Sequence, residues 1–404
     1  MDKRVVITGV GVVSSIGIGR DVFWKALTAG KSGIRPVETF DTSGFPTHNG
    51  GEIKDFSPED FMSRRRAQLV GRASALAIAA SRLAFSDAGL KLSAGDKEKA
   101  GVILGTTMGE TQVFERINYR WVKEGEQAID PVWLPRLPAN VLAANVGIEF
   151  KLKGPNLVLP NACAAGNYAL GYAADLIRAG VTDVMLAGGT DAFSKIAFTG
   201  FNRLFAVAPE ICQPFDKDRK GMMVGEGAAA LVLESLDRAQ KRGADILAEV
   251  AGYGISCDAY HMTAPHAPGI ARAIRNALSE SSLVPGDIDY INAHGTGTPA
   301  NDREECLAMK EVFGSACRDI PVSSIKSMLG HTMGAASAIE SVACCLAIKE
   351  GCIPPTINFK TPDPDCDIDC VPNSCRRLKV EFAMNNASAF GGNNASVIFK
   401  NFVL

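Results

Sequence analysis

Four short apolar or β-branched runs, each ending in glycine or a small polar residue, constrain this chain most. They are "RVVITGVGVV" (4–13), "AGVILGTT" (100–107), "NLVLPNA" (156–162) and "DVMLAGGTDA" (183–192). Ala-rich segments with helical spacing lie between them, notably "RRAQLVGRASALAIAASRLAFSDAGL" (65–90). Strands alternating with amphipathic helices are the grammar of an α/β fold. Past the helical stretch "SLDRAQKRGADI" (235–246) the pattern starts again. Strand candidates there are "LAEVAGYGIS", "IDYINAHGTGT", "IPVSSIKS" and "ASVIFKNF", with helices "GIARAIRNALSES" and "GAASAIESVACCLAIKEG" between them. The order strand–loop–helix thus occurs once in each half. We expect two similar domains, 1–240 and 241–404, each a sheet with helices. A chain of 404 residues is long for a single core, which agrees with that division.

Composition removes several function classes. With 47% hydrophobic and 21% charged residues the chain reads as a soluble globular protein. A formal charge of -2 gives no basic face for nucleic acid. No apolar run approaches the roughly 18–20 residues needed to span a bilayer. The first residues enter a strand at once, with no signal-peptide layout, so a cytoplasmic location is expected. Eleven cysteines, an odd number, then read as reduced thiols.

Three motifs that look suggestive lead nowhere. "GVGVVS" at Gly9–Ser14 has serine in place of the third glycine, and no acidic residue closes a second strand about twenty residues on. Cys366, Cys370 and Cys375 lack the spacing of a zinc pair. "HMTAPH" (261–266) is not HExxH. No metal or dissociable cofactor is expected.

The chemistry-bearing residues lie elsewhere. In "NACAAG" (161–166) a strand turns sharply into a helix, with Cys163 at the turn. A buried cysteine is often only a packing residue, but one at a helix N-terminus feels the positive end of the dipole, which favours thiolate. Its small neighbours leave room for a thioester carbonyl and its oxyanion. His294 in "NAHGTGTPAND" and His331 in "SSIKSMLGHTMGAASAIE" each follow a β-type run and sit in a Gly/Ser/Thr-rich loop. Lys326 precedes His331 by five residues and Glu340 follows it by nine. In "NNASAFGGNNAS", Phe390 stands beside Gly391 and Gly392, which let backbone approach a ligand and let the loop move. One thiol and two imidazoles suit acyl transfer through a thioester. The second histidine would serve a carbonyl that becomes an enolate after decarboxylation.

The chain resembles the β-ketoacyl-acyl-carrier-protein synthases of the thiolase superfamily, the elongating type of bacterial type II systems. The resemblance runs from "RVVITGVGVVSSIG" through "GPNLVLPNACAAG", "PFDKDRKGMMVGEGAAALVLE", "CDAYHMTAPH", "NAHGTGTPAND", "SSIKSMLGHTMGAAS" and "CDIDCVPN" to "SAFGGNNAS". It implies the thiolase-like duplicated fold, five layers α-β-α-β-α, and the catalytic set Cys163, His294 and His331. It also implies Lys326 and Glu340 as supports of the histidine network, and Thr296 and Thr298 on the phosphopantetheine arm. Phe390 would be a gate whose N–H joins that of Cys163 in an oxyanion hole, flanked by Gly391 and Gly392. Met108 and Phe201 would line the acyl pocket, and Arg64, Arg65 and Arg66 would dock the acyl carrier protein. The implied reaction is decarboxylative Claisen condensation of a Cys-bound acyl chain with malonyl-acyl-carrier protein. The implied assembly is a homodimer, or a heterodimer with a chain-length-factor subunit.

Four residues depart from the family pattern: Asn161 and Ala164 around the cysteine, Ala389 and Asn393 around the gate. They point to a specialised type II polyketide or polyene pathway, with fatty-acid elongation as the alternative. A non-catalytic chain-length factor would lack the cysteine, and a degradative thiolase would carry a second cysteine in the C-terminal Gly-rich loop.

Overall fold

The computed structural model describes residues 3–402. Ten strands carry the architecture. The first five are β1 (Val5–Ser14), β2 (Gly101–Gly105), β3 (Asn156–Leu159), β4 (Val184–Asp191) and β5 (Gly227–Ser235). The second five are β6 (Ala248–Cys257), β7 (Tyr290–Asn292), β8 (Val322–Ser323), β9 (Phe382–Ala389) and β10 (Asn393–Lys400). The first set is ordered β3-β2-β4-β5-β1 and the second β8-β7-β9-β10-β6. In each, the first two pairings are parallel and the last two antiparallel. The same topology therefore occurs twice. The copies meet where β1 and β6 pair antiparallel through Val6–Glu249 and Ile7–Ala248.

Six helices cover these sheets: α1 (Arg72–Asp87), α2 (Val141–Phe150), α3 (Ala165–Arg178), α4 (Ala267–Glu280), α5 (Pro299–Phe313) and α6 (Ala336–Glu350). α1 and α2 pack on the first sheet, and α4 packs on the second with α5 against it. α3 and α6 touch strands of both sheets and each other, so they form a central layer. The result is five layers, α-β-α-β-α. β1 and β5 are buried at every position, which is why they read as continuous apolar runs instead of alternating ones. α6 is buried from Ala336 to Ile348, as a helix between two sheets must be. Gly9 and Gly11 let α1 lie directly on β1: a β-carbon at Gly11 would fall 2.0 Å from the Ala80 carbonyl oxygen.

Three sequence readings need correction. The helix expected over 65–90 is broken: a short helix, Arg64–Ala67, is separated from α1 at Gly71. Glu110 supplies the acceptors for the first free N–H groups of α1, at Ala73 and Ser74. "NNASAFGGNNAS" is not a loop but the β9–β10 hairpin, with only Phe390–Gly392 at its turn. Its asparagines look loop-like because they serve a buried network: the Asn385 amide donates to Asn167, the Ser337 carbonyl and Ser341. β7 stops at Asn292, so "AHGTGT" is loop. The cysteines are free thiols. No helix among the described residues is long and apolar enough to cross a membrane.

Candidate active site

Cys163 lies between β3 and α3. The chain leaves β3 at Leu159, passes Ala162 at φ 48° and makes one 3₁₀ turn, Ala162–Ala164, before α3 begins. A left-handed alanine is strained, and such strain persists only where the surroundings enforce it. The small residues of "NACAAG" serve that purpose. A β-carbon at Gly166 would fall 2.5 Å from the Ala338 amide nitrogen, so only glycine lets α3 meet α6 there. Cys163 is 8% exposed at the base of the turn. Burial pushes its thiol up to about 12, with Lys326 opposing and Asp191 and Glu340 adding to the rise. The expected thiolate is thus not the resting form in this environment; the proton must leave as the thiol attacks.

His294 follows β7. Its own N–H and that of Gly295 both donate to the Glu305 carboxylate, at 2.7 and 2.8 Å, which fixes the loop to α5. His331 donates its N–H to the Met223 carbonyl at 2.6 Å, and its Nδ1 accepts the Met333 N–H at 3.1 Å. A nitrogen that accepts carries no proton, so His331 holds its proton on Nε2 and presents a donor there. The two imidazole centroids are 5.4 Å apart at 81°. Both rings lie well below the usual histidine range, because burial and then the Lys326 charge disfavour imidazolium. Lys326 and Glu340 form a fully buried ion pair beside them. Burial raises Glu340, and Lys326 counters this.

Cys163, His294 and His331 bring one nitrogen or sulfur each within 4.8 Å of one another. Three such donors match a zinc site in type. The His331 tautomer argues against one: a metal on Nε2 would put the proton on Nδ1, against the Met333 N–H. The arrangement suits a nucleophile with neutral hydrogen-bond donors.

All three residues open into one cavity of about 360 Å³. Thr296 and Thr298 line its entrance wall, their hydroxyls 2.9 Å apart. Phe390 stands at the mouth, 38% exposed, its ring 5.9 Å from that of Phe201, which also lines the cavity. Gly391 and Gly392 have φ 82° and 72° and make the turn, while Ala389 is extended at φ -141°. The alanine therefore fits the start of this turn without strain. Met108 is not among the cavity-lining residues; its N–H donates to Asp191. Arg64 and Arg65 are exposed, whereas Arg66 donates to the Asn145 carbonyl and side chain and is held against the body. Two residues that hold the site, Asp191 and Glu305, went unread in the sequence. Their only signal is a carboxylate at the end of an apolar strand, and one on the helix after a histidine loop.

Comparison with known proteins agrees with this geometry. The model of the beta-ketoacyl synthase N-terminal domain matches residues 2–239, and that of its C-terminal domain matches 247–360. The chain is 39% identical to 3-oxoacyl-[acyl-carrier-protein] synthase 2 of Staphylococcus aureus, over 99% of both chains. It is 41% identical to the Synechocystis enzyme of the same name, over 99% of this chain and 98% of the other. It superposes on a chain of the ishigamide ketosynthase/chain length factor structure with TM-score 0.96 and 46% identity, covering 100% of both. A type II PKS acyl-carrier protein in complex with its ketosynthase bound to the hexaketide gives TM-score 0.93 and 34% identity, again over 100% of both.

Proposed function

The chain belongs to the beta-ketoacyl synthase family, and from that premise we propose how its residues carry out the family's condensation. The enzyme is a β-ketoacyl-acyl-carrier-protein synthase. It joins a Cys-bound acyl chain to malonyl-acyl-carrier protein and releases carbon dioxide. In the first half-reaction Cys163 Sγ attacks the acyl thioester and carrier thiol leaves. The proton comes off as attack occurs, because burial keeps the resting thiol neutral. His294, whose Nδ1 is buried without a partner, is the imidazole that passes the proton on to the departing carrier sulfur.

In the second half-reaction the malonyl carboxylate leaves as carbon dioxide, and its electron pair forms an enolate on the thioester. The His331 Nε2–H donates to that developing oxyanion, with His294 beside it. The enolate carbon then attacks the acyl carbonyl. The C–S bond to Cys163 breaks, the 3-oxoacyl product stays on its carrier, and the Cys163 thiolate takes a proton from solvent water. Thr296 and Thr298 hold the phosphopantetheine arm, and the N–H groups of Cys163 and Phe390 hold the acyl oxyanion. Phe390, Gly391 and Gly392 form the gate. Phe201 bounds the acyl channel, Met108 lying outside its lining, and Arg64 and Arg65 meet the acidic carrier protein. Burial and the charge of Lys326, which is held in place by its ion pair with Glu340, keep the imidazoles neutral. No free cofactor is required, since both substrates arrive on carrier-bound phosphopantetheine.

We read residues 1–240 as the domain that supplies the thiol and 241–404 as the domain that supplies the histidines. The pathway is a specialised type II polyketide or polyene one, supported by 46% identity to a chain of the ishigamide ketosynthase/chain length factor. Fatty-acid elongation is the second reading, favoured by the synthase 2 relatives. The partner subunit is a second copy or a chain length factor, and the free thiols fit the cytoplasm. The observation that carries the mechanism is a thiol and two neutral imidazoles converging in one cavity. Cys163→Ala removes only a sulfur. The variant should fold, yet show no acyl adduct by intact mass and no 3-oxoacyl product. Product formation by that variant would overturn the mechanism.

A further inference from the structure

Asp191 ends β4 beneath the site and is fully buried. Its carboxylate accepts four donors: the Thr106 hydroxyl at 2.7 Å, the N–H groups of Thr107 and Met108 at 2.7 and 2.9 Å, and the Gly334 N–H at 2.6 Å. The first three belong to the loop after β2, the last to the turn after His331. That turn is under strain, with Met333 at φ 54°. Consecutive N–H groups within it have separate acceptors: Met333 donates to His331 Nδ1 and Gly334 to Asp191. The turn is also pressed flat, since a β-carbon at Gly334 would fall 2.4 Å from the Thr106 backbone. A strained turn keeps its shape only while its anchors hold.

We propose that Asp191 is a positioning residue for decarboxylation: by anchoring the Met333–Gly334 turn it keeps the Met333 N–H on His331 Nδ1, and so keeps the His331 proton on Nε2, facing the malonyl oxygen. The inference rests on the ketosynthase mechanism above. Loss of the anchor lets the turn relax. Met333 then leaves Nδ1, and the ring is free to take the other tautomer or turn away. Loading of Cys163 does not use the His331 donor and should survive. Asp191 is joined to His331 through backbone, and the sequence separation of 143 between Asp191 and Gly334 hides the link.

The test uses hexanoyl-N-acetylcysteamine for loading, read by intact mass, and labelled malonyl-N-acetylcysteamine for carbon dioxide release. Asp191→Asn should load at close to the wild-type rate and decarboxylate at least about tenfold more slowly, up to the roughly hundred- to thousandfold loss of a missing oxyanion donor. Combined with His331→Ala it should add nothing, since both changes remove one interaction. Thr106→Val takes away one donor to Asp191 with little change in shape, and decides the matter if Asp191→Asn does not fold. It should show the same selective loss, and Thr106→Ser should restore the rate. The proposal is overturned by a folded Asp191→Asn, or by Thr106→Val where that variant decides, that decarboxylates within about twofold of wild type. It is overturned too if loading falls as far as decarboxylation, which marks a merely structural role. If the wild-type protein itself neither loads nor decarboxylates, the ketosynthase mechanism fails instead.

Discussion

In the proposed mechanism His331 acts through the position of one proton. The Met333 N–H at 3.1 Å from Nδ1 forces that proton onto Nε2, and burial, with the Lys326 charge, disfavours a second proton. A neutral donor of fixed tautomer suits an oxyanion that appears only after carbon dioxide leaves. His331→Ala should therefore still form acyl-Cys163, yet release carbon dioxide about a hundred- to a thousandfold more slowly. Single-turnover loading and labelled carbon dioxide release on one preparation test this; equal loss in both steps would refute the assignment. Cys163, His294 and His331 were legible in the sequence because each stands in a Gly- and Ala-rich stretch just after an apolar run. The protonation state of Cys163 was not. A helix N-terminus suggests thiolate, but burial outweighs the dipole and pushes the thiol up to about 12. Asp191 was illegible because all but one of its donors are backbone groups, which carry no residue signature.

At the scale of elements, the short helix Arg64–Ala67 shows how three like residues acquire different roles. A run of arginines reads as one basic patch, but the helical turn sends them in different directions. Arg64 points into solvent with Glu59 3.8 Å away, and Arg65 is exposed. Arg66 turns inward to the carbonyl and side chain of Asn145 on α2. Arg64→Ala with Arg65→Ala should weaken carrier-protein binding, each exposed pair being worth on the order of 0.2–1 kcal/mol. The effect should fade as salt is raised. Arg66→Ala should instead cost stability, about 1 kcal/mol or more for its hydrogen bonds, and leave the salt dependence of binding unchanged. Binding titrations at two ionic strengths, with melting curves, separate these outcomes; equal binding loss from Arg66→Ala would put it in the docking face. The same limit applies to strands. β1, β2 and β4 were legible as apolar runs, while β9 was not. Its Asn385 bonds Asn167, Ser337 and Ser341 in the central layer and its Asn386 accepts from Ser396 on β10, and pattern alone reads such asparagines as loop.

For the whole molecule, duplication places two open ends of parallel strands on one cavity, and the loops there hold together through buried carboxylates. Asp191 anchors the loop after β2, and Glu305 anchors the loop after β7 through the N–H groups of His294 and Gly295. These anchors give the site its geometry at a cost in stability, because their donors only partly offset the burial of a charge. Burial pushes Asp191 up to about 6 and Glu305 up to about 7. An unfolded glutamate releases its proton near about 4.3. Between that pH and about 7 the folded protein holds a proton at Glu305 that the unfolded chain has lost. Stability from this group is therefore complete below the unfolded value and falls as pH rises through about 7. Asp96 has the opposite sign: its bond to Arg238 lowers it to about 2, so its contribution is lost as pH falls through that value. Glu305→Gln has no proton to lose. Its melting temperature should lie below that of wild type at about pH 5, where the native carboxyl is protonated and costs nothing. The gap should narrow steadily towards about pH 8, where wild type carries the buried charge. Melting curves of both proteins across that range decide it. A gap that stays constant, or widens with pH, would mean that Glu305 is already ionised at low pH and that its two backbone donors outweigh its burial.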